Sequence, residues 1–346
     1  MNTFTQDDLQ SLCIALKNVP ASTPNIAFTN SLFNLAKNHS VIWPLMASGR
    51  LQLGNPLIGA LIAQTSSLAH ALPVELKDVH SALSTVCSPV YLKGAAILIE
   101  HDFAPQLWRY MADFDLLVEH EHLTDAVSSI EELGYRARKD DLYLPRLNPH
   151  FPILLQEGKT CGIEIHTRLL QDGIENFLEP NDIRARAECV DTAQGTILIA
   201  SIFDRLVHLI AHAQIGSQRY HRRKFLIRDA LEFNYLLSRP GADYHAVRDA
   251  FKAAGYLAHF ESFAAMSKAL IPSKTTAKQN LPSNALKWTE QACENILDSN
   301  RQNRWVIKDW FRMGALLVYT PSKWGSYAKL LGRGKFLSSR INKQLK

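Results

Sequence analysis

Asp113-Phe114-Asp115 leads directly into the apolar run Leu116-Leu117-Val118. On a β-strand alternate side chains share a face, so Asp113 and Asp115 point one way while Phe114, Leu116 and Val118 point into a core. Like charges held side by side repel, and the pair makes chemical sense when a divalent cation sits between them. Few, hard oxygen donors suit Mg²⁺ or Mn²⁺ better than zinc, and such ions serve phosphate chemistry. Upstream, Val86 to Leu92 reads as a short buried strand, followed by Lys93-Gly94-Ala95-Ala96 and a helix start over Ala95 to Glu100. Strand, glycine turn and helix N-terminus together build an anion site: Gly94 permits close backbone approach, free amides face a phosphate, and Lys93 adds positive charge.

A third carboxylate completes the set. In Cys161-Gly162-Ile163-Glu164-Ile165-His166-Thr167-Arg168, the isoleucines face one side and Glu164 and His166 the other. If this strand lies beside Asp113 to Val118, Glu164 joins the two aspartates. Three carboxylates can hold two metal ions roughly 3.5 to 4 Å apart. Glu164 could also accept a proton from an attacking hydroxyl.

The series Tyr91-Leu92-Lys93-Gly94-Ala95-Ala96, Arg109, Asp113-Phe114-Asp115-Leu116-Leu117-Val118, Leu133-Gly134-Tyr135 and Glu164-Ile165-His166 resembles the uncharacterised nucleotidyltransferase family of the DNA polymerase β superfold. It is similar, more distantly, to the abortive-infection type toxins that share the Lys-Gly and Asp-x-Asp elements. The resemblance spans roughly residues 40 to 290, its motifs in the expected order. It implies an α+β fold, a polymerase β-like core with a mixed sheet, flanked by N- and C-terminal helical regions. It also implies metal-dependent transfer of a nucleoside monophosphate from a nucleoside triphosphate to an acceptor that the resemblance does not identify. Asp113, Asp115 and Glu164 would then be both catalytic and metal-binding, with Mg²⁺ or Mn²⁺ as cofactor. Lys93, Gly94, Arg109, His166 and Asp229 would contact the nucleotide.

One departure is that Gly94-Ala95 stands where the wider superfamily has Gly-Ser or Gly-Gly, so the phosphate loses a serine hydroxyl that Lys93 would replace. The plainer readings stay open beside these. An Asp-x-Asp pair alone also describes a solvated strand end. Arg109 either clamps a phosphate with its forked donors or pairs with a surface carboxylate, and His166 is either a substrate contact or a core histidine. Two other function classes remain: a toxin-like enzyme acting on RNA, and an inactive nucleotide-binding module. Unused paired carboxylates cost stability by repulsion, which argues against the last.

The elements that must position these groups fall into four stretches. Residues 1–85 read as helices between prolines, 86–195 as the nucleotidyltransferase core, 196–310 as a second helical region, and 311–346 as a basic, aromatic tail. In the core, Leu123 to Leu133 reads as a helix ended by Gly134. A hairpin is expected from Phe151 to Gln156 and Gly162 to Thr167, turning through Glu157-Gly158-Lys159-Thr160. After Thr196 the pattern is helical: Ser201 can cap a helix to about Gln214, on which Asp204, His208 and His212 share one face. A zinc-protease reading fails there, because Leu209 follows His208 where Glu is required. The histidines are either structural or border the nucleotide pocket. Arg219 to Arg228 carries five Arg or Lys in ten residues, as a solvated face or as cations for a triphosphate or an RNA acceptor.

With 47% hydrophobic and 21% charged residues, the 346-residue chain is a folded protein and extensive disorder is not expected. Its five cysteines are scattered with no Cys-x-x-Cys, which points to reduced thiols and a cytoplasmic setting. Met1 to Asp8 does not have the form of a signal peptide. Leu51 to Val74 is uncharged but interrupted by Gln, Asn, Ser and Pro, and reads as a buried helix rather than a span. From Arg312 to Lys346 there are eight Arg or Lys and no acidic residue, interleaved with Trp324, Tyr327, Leu330, Leu331, Phe336 and Leu337. That mixture suits peripheral contact with an anionic membrane, and equally a nucleic-acid backbone or a solvated tail.

Overall fold

A computed structural model describes residues 4–16, 29–47, 56–103, 111–137, 149–170, 177–277 and 279–297. The chain opens with helices α1 (Gln6–Leu16), α2 (Asn30–Asn38), α3 (Ile42–Ala47) and α4 (Pro56–Leu83). The central segment runs β1 (Val90–Tyr91), α5 (Lys93–Glu100), β2 (Asp113–Leu117), α6 (Leu123–Glu132), β3 (Arg136–Ala137), β4 (Leu154–Leu155), β5 (Gly162–His166), α7 (Pro180–Ala185), β6 (Glu188–Thr192) and β7 (Gly195–Ile199). Helices α8 (Ile202–Ala211), α9 (Arg219–Arg222), α10 (Ile227–Leu237), α11 (Tyr244–Ala253), α12 (Leu257–Leu270), α13 (Lys274–Ala277) and α14 (Ser283–Leu297) follow. The fold is α+β, as expected, and the seven strands among the described residues form one mixed sheet in the order β3-β4-β5-β2-β1-β7-β6.

β2 and β5 lie side by side and parallel at the centre, with Asp113 opposite Gly162, Asp115 opposite Glu164 and Leu117 opposite His166. β1 runs antiparallel to β2 and parallel to β7. The hairpin of β4 and β5 forms with Leu154 opposite Ile163. Helices cover both faces of the central strands, which is why Asp115 is buried along with its apolar neighbours. One face sends Phe114, Leu116, Val118, Ile163 and Ile165 against Leu76 and Val79 of α4 and Ile130 of α6. The other joins Val90, Leu92 and Leu117 to α8, α10 and α12, and to Leu12 of α1 and Leu32 and Leu35 of α2. The first and last described segments therefore share a core, and the Phe4 amide donates to the Leu297 carbonyl.

Local chemistry accounts for most boundaries. Ser201 caps α8, its Oγ accepting from the Asp204 amide, and Gly134 takes φ +97° after α6. Three expectations are corrected. The strand expected over Val86 to Leu92 shrinks to two residues, because Val86 and Cys87 close the last turn of α4 on the Leu83 carbonyl. Helical structure does not resume straight after Thr196: Thr196 to Ile199, β-branched and apolar, extend β7 and pair it with β1. The helix over Leu51 to Val74 is not buried all round, since Gly59, Ala60, Ala63, Ser66, Ser67, His70 and Val74 are exposed, while Leu68 and Leu72 pack against the core. Among the described residues no helix is long and apolar enough to cross a membrane. None of the five cysteines forms a disulfide among the described residues.

Two buried polar contacts hold this arrangement, and each yields a test. The Glu75 carboxylate, on α4, accepts from the Thr160 and Cys161 amides at 2.8 and 3.1 Å and so anchors the entry to β5. Glu75→Leu is expected to cost about 2 to 4 kcal/mol in urea unfolding, because two amides lose their acceptor; an unchanged midpoint would refute the anchoring role. His39, after α2, is buried, and its Nδ1 accepts from the Ile227 amide at the start of α10. Burial pushes its pKa down to about 4, with Asp229 opposing. The unfolded chain then binds the proton more readily, so this contribution is complete above about pH 6.5 and is lost as pH falls through about 4. Wild type should lose roughly 2 kcal/mol more than His39→Gln between pH 7 and pH 5, measured by denaturant unfolding; equal slopes would refute it.

Candidate functional site

The site begins where β1 turns into α5. The Leu92 amide donates to the Asp115 carbonyl at 3.0 Å, which docks the turn against β2. Lys93 has φ +44°, a left-handed conformation that costs a non-glycine residue roughly 1 to 2 kcal/mol. The unusual dihedral falls on Lys93, while Gly94 is buried in the first turn of α5. That turn has no side-chain cap, so the positive end of α5 lies beside the carboxylates. Lys93 Nζ donates to Asp115 Oδ1 at 2.5 Å.

From β5, His166 Nε2 donates to the same Asp115 oxygen at 3.0 Å and lies 3.7 Å from Glu164 Oε2. The donor atoms of Asp115, Glu164 and His166 all fall within 4.8 Å of one another. Burial would raise the Asp115 pKa, but Lys93 and His166 hold it well below the usual carboxylate range. Burial opposes the charge on Lys93, and the Asp115 and Glu164 carboxylates more than offset it, so that Lys93 is raised. His166 is likewise raised by Asp115 and Glu164 against the effect of burial. Glu164 is lowered, because its contacts with His166 and His150 outweigh burial.

Two carboxylates and one imidazole converging on a single point fit a divalent cation, and the mixed donor set suits Mn²⁺ at least as well as Mg²⁺. The metal set expected from the sequence was Asp113, Asp115 and Glu164. The structure gathers Asp115, Glu164 and His166 most closely. Asp113 lies two residues along the same face, partly exposed, and its charge acts on Arg228.

The helical layer closes over this face. Asp229 is buried at the start of α10 and accepts from Arg219 at 2.5 Å and from Arg228 at 3.3 Å. Arg228 is raised, burial being outweighed by Asp229, Glu232 and Asp113. His208 is buried on α8, its Nε2 without a hydrogen-bond partner among the described residues, and desolvation with the nearby Lys93 charge holds it well below its usual range. His212 remains open to solvent but is ringed by protein; that packing, then Lys93 and Arg219, push its pKa down. The Lys93 and Asp115 charges act on both histidines, which therefore lie near the carboxylate site. His212 opens a π-helical turn to Gly216, where a simple continuation of α8 was expected. Arg109 lies outside the described residues, as does the tail from residue 311.

His150 is a site neighbour that the sequence reading missed: its Nε2 is 4.0 Å from Glu164 Oε1 and its ring is 5.2 Å from that of His166. Counting back from Leu154 opposite Ile163 places Phe151 opposite His166, whereas the register slips by one and His150 takes that place. A one-residue slip reverses which side chain reaches the face.

No curated protein matches this chain. A family model does, over residues 61–272, a span that contains β1, α5, β2, β5 and the helices that close over them. The chain therefore belongs to the uncharacterised nucleotidyltransferase family.

Proposed function

We propose that the protein is a divalent-metal-dependent nucleotidyltransferase that moves a nucleoside monophosphate from a nucleoside triphosphate to an acceptor hydroxyl or phosphate. The observation that supports this most directly is the in-register pairing of β2 with β5, which sets Asp115 beside Glu164 at the positive end of α5. Asp115, Glu164 and His166 would hold the ion, and Asp113, on the same face, would complete a second position. The ion, when bound, screens phosphate charge and favours the deprotonated acceptor. Lys93 and the first amides of α5 would hold the triphosphate, and the Asp229 layer would place Arg219 and Arg228 near its outer phosphates. An acceptor oxygen attacks the α-phosphorus, its new bond replaces the α–β bridging bond, and pyrophosphate leaves with the electron pair. The acceptor's proton passes to a base or to water. Glu164, with its lowered pKa, suits the role of ligand better than that of base.

Arg219 and Arg228 turn inward onto Asp229. We therefore assign them to the nucleotide in preference to a toxin-like role on an RNA backbone. An inactive binding module would bind nucleotide and transfer nothing.

Incubation with each α-labelled nucleoside triphosphate, Mn²⁺ or Mg²⁺ and a fractionated cell extract should transfer label to one acceptor fraction. Glu164→Gln should reduce that transfer by at least about a hundredfold while the fold survives. Transfer at the wild-type rate by Glu164→Gln, or none by the wild type with any triphosphate, would overturn the reading. A second test needs no acceptor. Lys93→Met leaves the buried Asp115 carboxylate short of its cation and should cost roughly 3 to 5 kcal/mol, whereas Lys93→Met with Asp115→Asn should cost less. Added Mn²⁺ should restore part of the stability of the single variant only, by binding the folded state. Equal response of both variants to Mn²⁺ in thermal unfolding would count against a metal at Asp115.

A further inference from the structure

The two histidines near the carboxylate site differ in one respect. His208 is buried, whereas His212 is exposed, and their rings meet edge to face with centroids 6.1 Å apart. Among the described residues neither ring nitrogen of His212 makes a hydrogen bond. An open imidazole that protein surrounds faces a recess of the fold, not its outer surface.

Its place follows from the helices. Arg205, in the first turn of α8, pairs with Glu100, the last residue of α5, at 3.3 Å. His212 lies seven residues on, about 10 Å along α8 at its end, and Lys93 lies seven residues back along α5. The surrounding charges agree with this. Lys93, His166 and Asp115 act on His208, and Asp229 and Arg219 act on His39, while His212 feels Lys93, Arg219, Asp115 and Asp229 together. His212 therefore stands between the carboxylate cluster and the Asp229–Arg219 pair.

The backbone fixes it there. The His212 carbonyl accepts from the Ser217 amide at 2.8 Å, five residues on, which is the bond of a π-helical turn. That turn and the left-handed Gln218 after it (φ +54°) lead straight to Arg219, so one short segment carries both His212 and Arg219. Burial, then Lys93 and Arg219, push the His212 pKa down to about 3, so the ring is neutral near pH 7 and has one N–H to donate. Ionised phosphate oxygens only accept, so that N–H is the group that suits them.

We propose that His212 is a catalytic residue whose ring N–H donates a hydrogen bond to the β-phosphate of the bound triphosphate, an inference that rests on the nucleotidyl-transfer reading of this site. With the α-phosphate at Asp115 and Glu164 and the outer phosphates at Arg219 and Arg228, the β-phosphate crosses the ground between them, where His212 stands. When the α–β bridging bond breaks, its electron pair goes to the departing pyrophosphate. The imidazole keeps its proton and stabilises that growing charge through the hydrogen bond.

Titration calorimetry of the full chain with inorganic pyrophosphate in the presence of Mn²⁺ tests this without an acceptor. His212→Ala should weaken pyrophosphate binding about tenfold, the loss of one charge-assisted hydrogen bond. Its thermal midpoint and its affinity for Mn²⁺ alone should stay at the wild-type values, because the open ring bonds to nothing in the bare protein. His212→Gln, which keeps an N–H, should recover most of the pyrophosphate affinity. Equal pyrophosphate affinity in wild type and His212→Ala, a loss shared with Mn²⁺ affinity or with a lowered midpoint, no recovery in His212→Gln, or no pyrophosphate binding by the wild type would each overturn the proposal. If pyrophosphate binding follows the expected pattern and yet no triphosphate yields label transfer, the contact stands and the transfer reading fails, so the two failures are told apart.

Discussion

Placing Asp115 next to Glu164 on a face that helices cover is the constraint around which the rest is arranged. Two unit charges about 4 Å apart repel by about 4 kcal/mol at an effective dielectric of about 20, and each also loses hydration. The fold meets this with positive charge drawn from different elements: Lys93 from the β1 to α5 turn and His166 from β5 itself. The compensation is local and incomplete. Lys93 and His166 both engage the same oxygen of Asp115, and Glu164 relies on longer contacts to His150 and His166. A ligand that brings further positive charge therefore stabilises the folded state, and this links the proposed metal dependence to the energetics of the bare site.

The left-handed Lys93 follows from the same constraint. A lysine in a regular helical first turn would project its side chain along the helix surface; the left-handed dihedral redirects it to the strand beside it. The conformational cost of roughly 1 to 2 kcal/mol is smaller than the roughly 3 to 5 kcal/mol at stake in leaving a buried carboxylate unpaired. Strain held at a position that faces the candidate substrate is the pattern expected where the surroundings over-determine one residue's geometry.

Much of this was legible from residue types alone. Alternation in Asp113 to Val118 and Gly162 to His166 was enough to put Asp113 and Asp115 on one face of their strand and Glu164 on one face of its own; that the two strands are neighbours was a condition, and the structure meets it. The order of motifs pointed to the family that the comparison finds. What was not legible lies in contacts between distant segments. The Lys93 pairing with Asp115 was hidden, because a sequence cannot display which oxygen its amine meets. His150 was hidden by a one-residue slip, and the β6 to β7 hairpin by the short Ala193-Gln194 turn that separates two half-apolar runs. The stripe of Asp204, His208 and His212 was visible, but the charges around its histidines come from α5, β2 and β5 and Asp204 is taken by Arg186, so the histidines' place near the site needed the tertiary packing. The expectation for the basic run also changed character: two of its arginines are consumed by one buried aspartate.

The polarity of β2 along the site face indicates how a substrate would enter. Asp113 is partly exposed, Asp115 is buried and Leu117 belongs to the core shared with the helical layer, so the face passes from solvent to hydrocarbon within five residues. The approach therefore lies at the Asp113 end. There the strand opposite offers Gly162, and a Cβ at that position would come within 2.6 Å of Ile153 Cδ1 and 2.9 Å of Leu155 Cδ2. A glycine lets the β4 side chains fold down over β5 next to Asp113. The wall of the approach is thus apolar on the β4 side and cationic on the α10 side, where Arg228 faces Asp113. In the proposed reaction a nucleotide would take such an asymmetric entrance with its base or sugar toward Ile153 and Leu155 and its phosphates toward Arg228 and Lys93, the order in which charge would have to arrive for the α-phosphorus to reach Asp115 and Glu164.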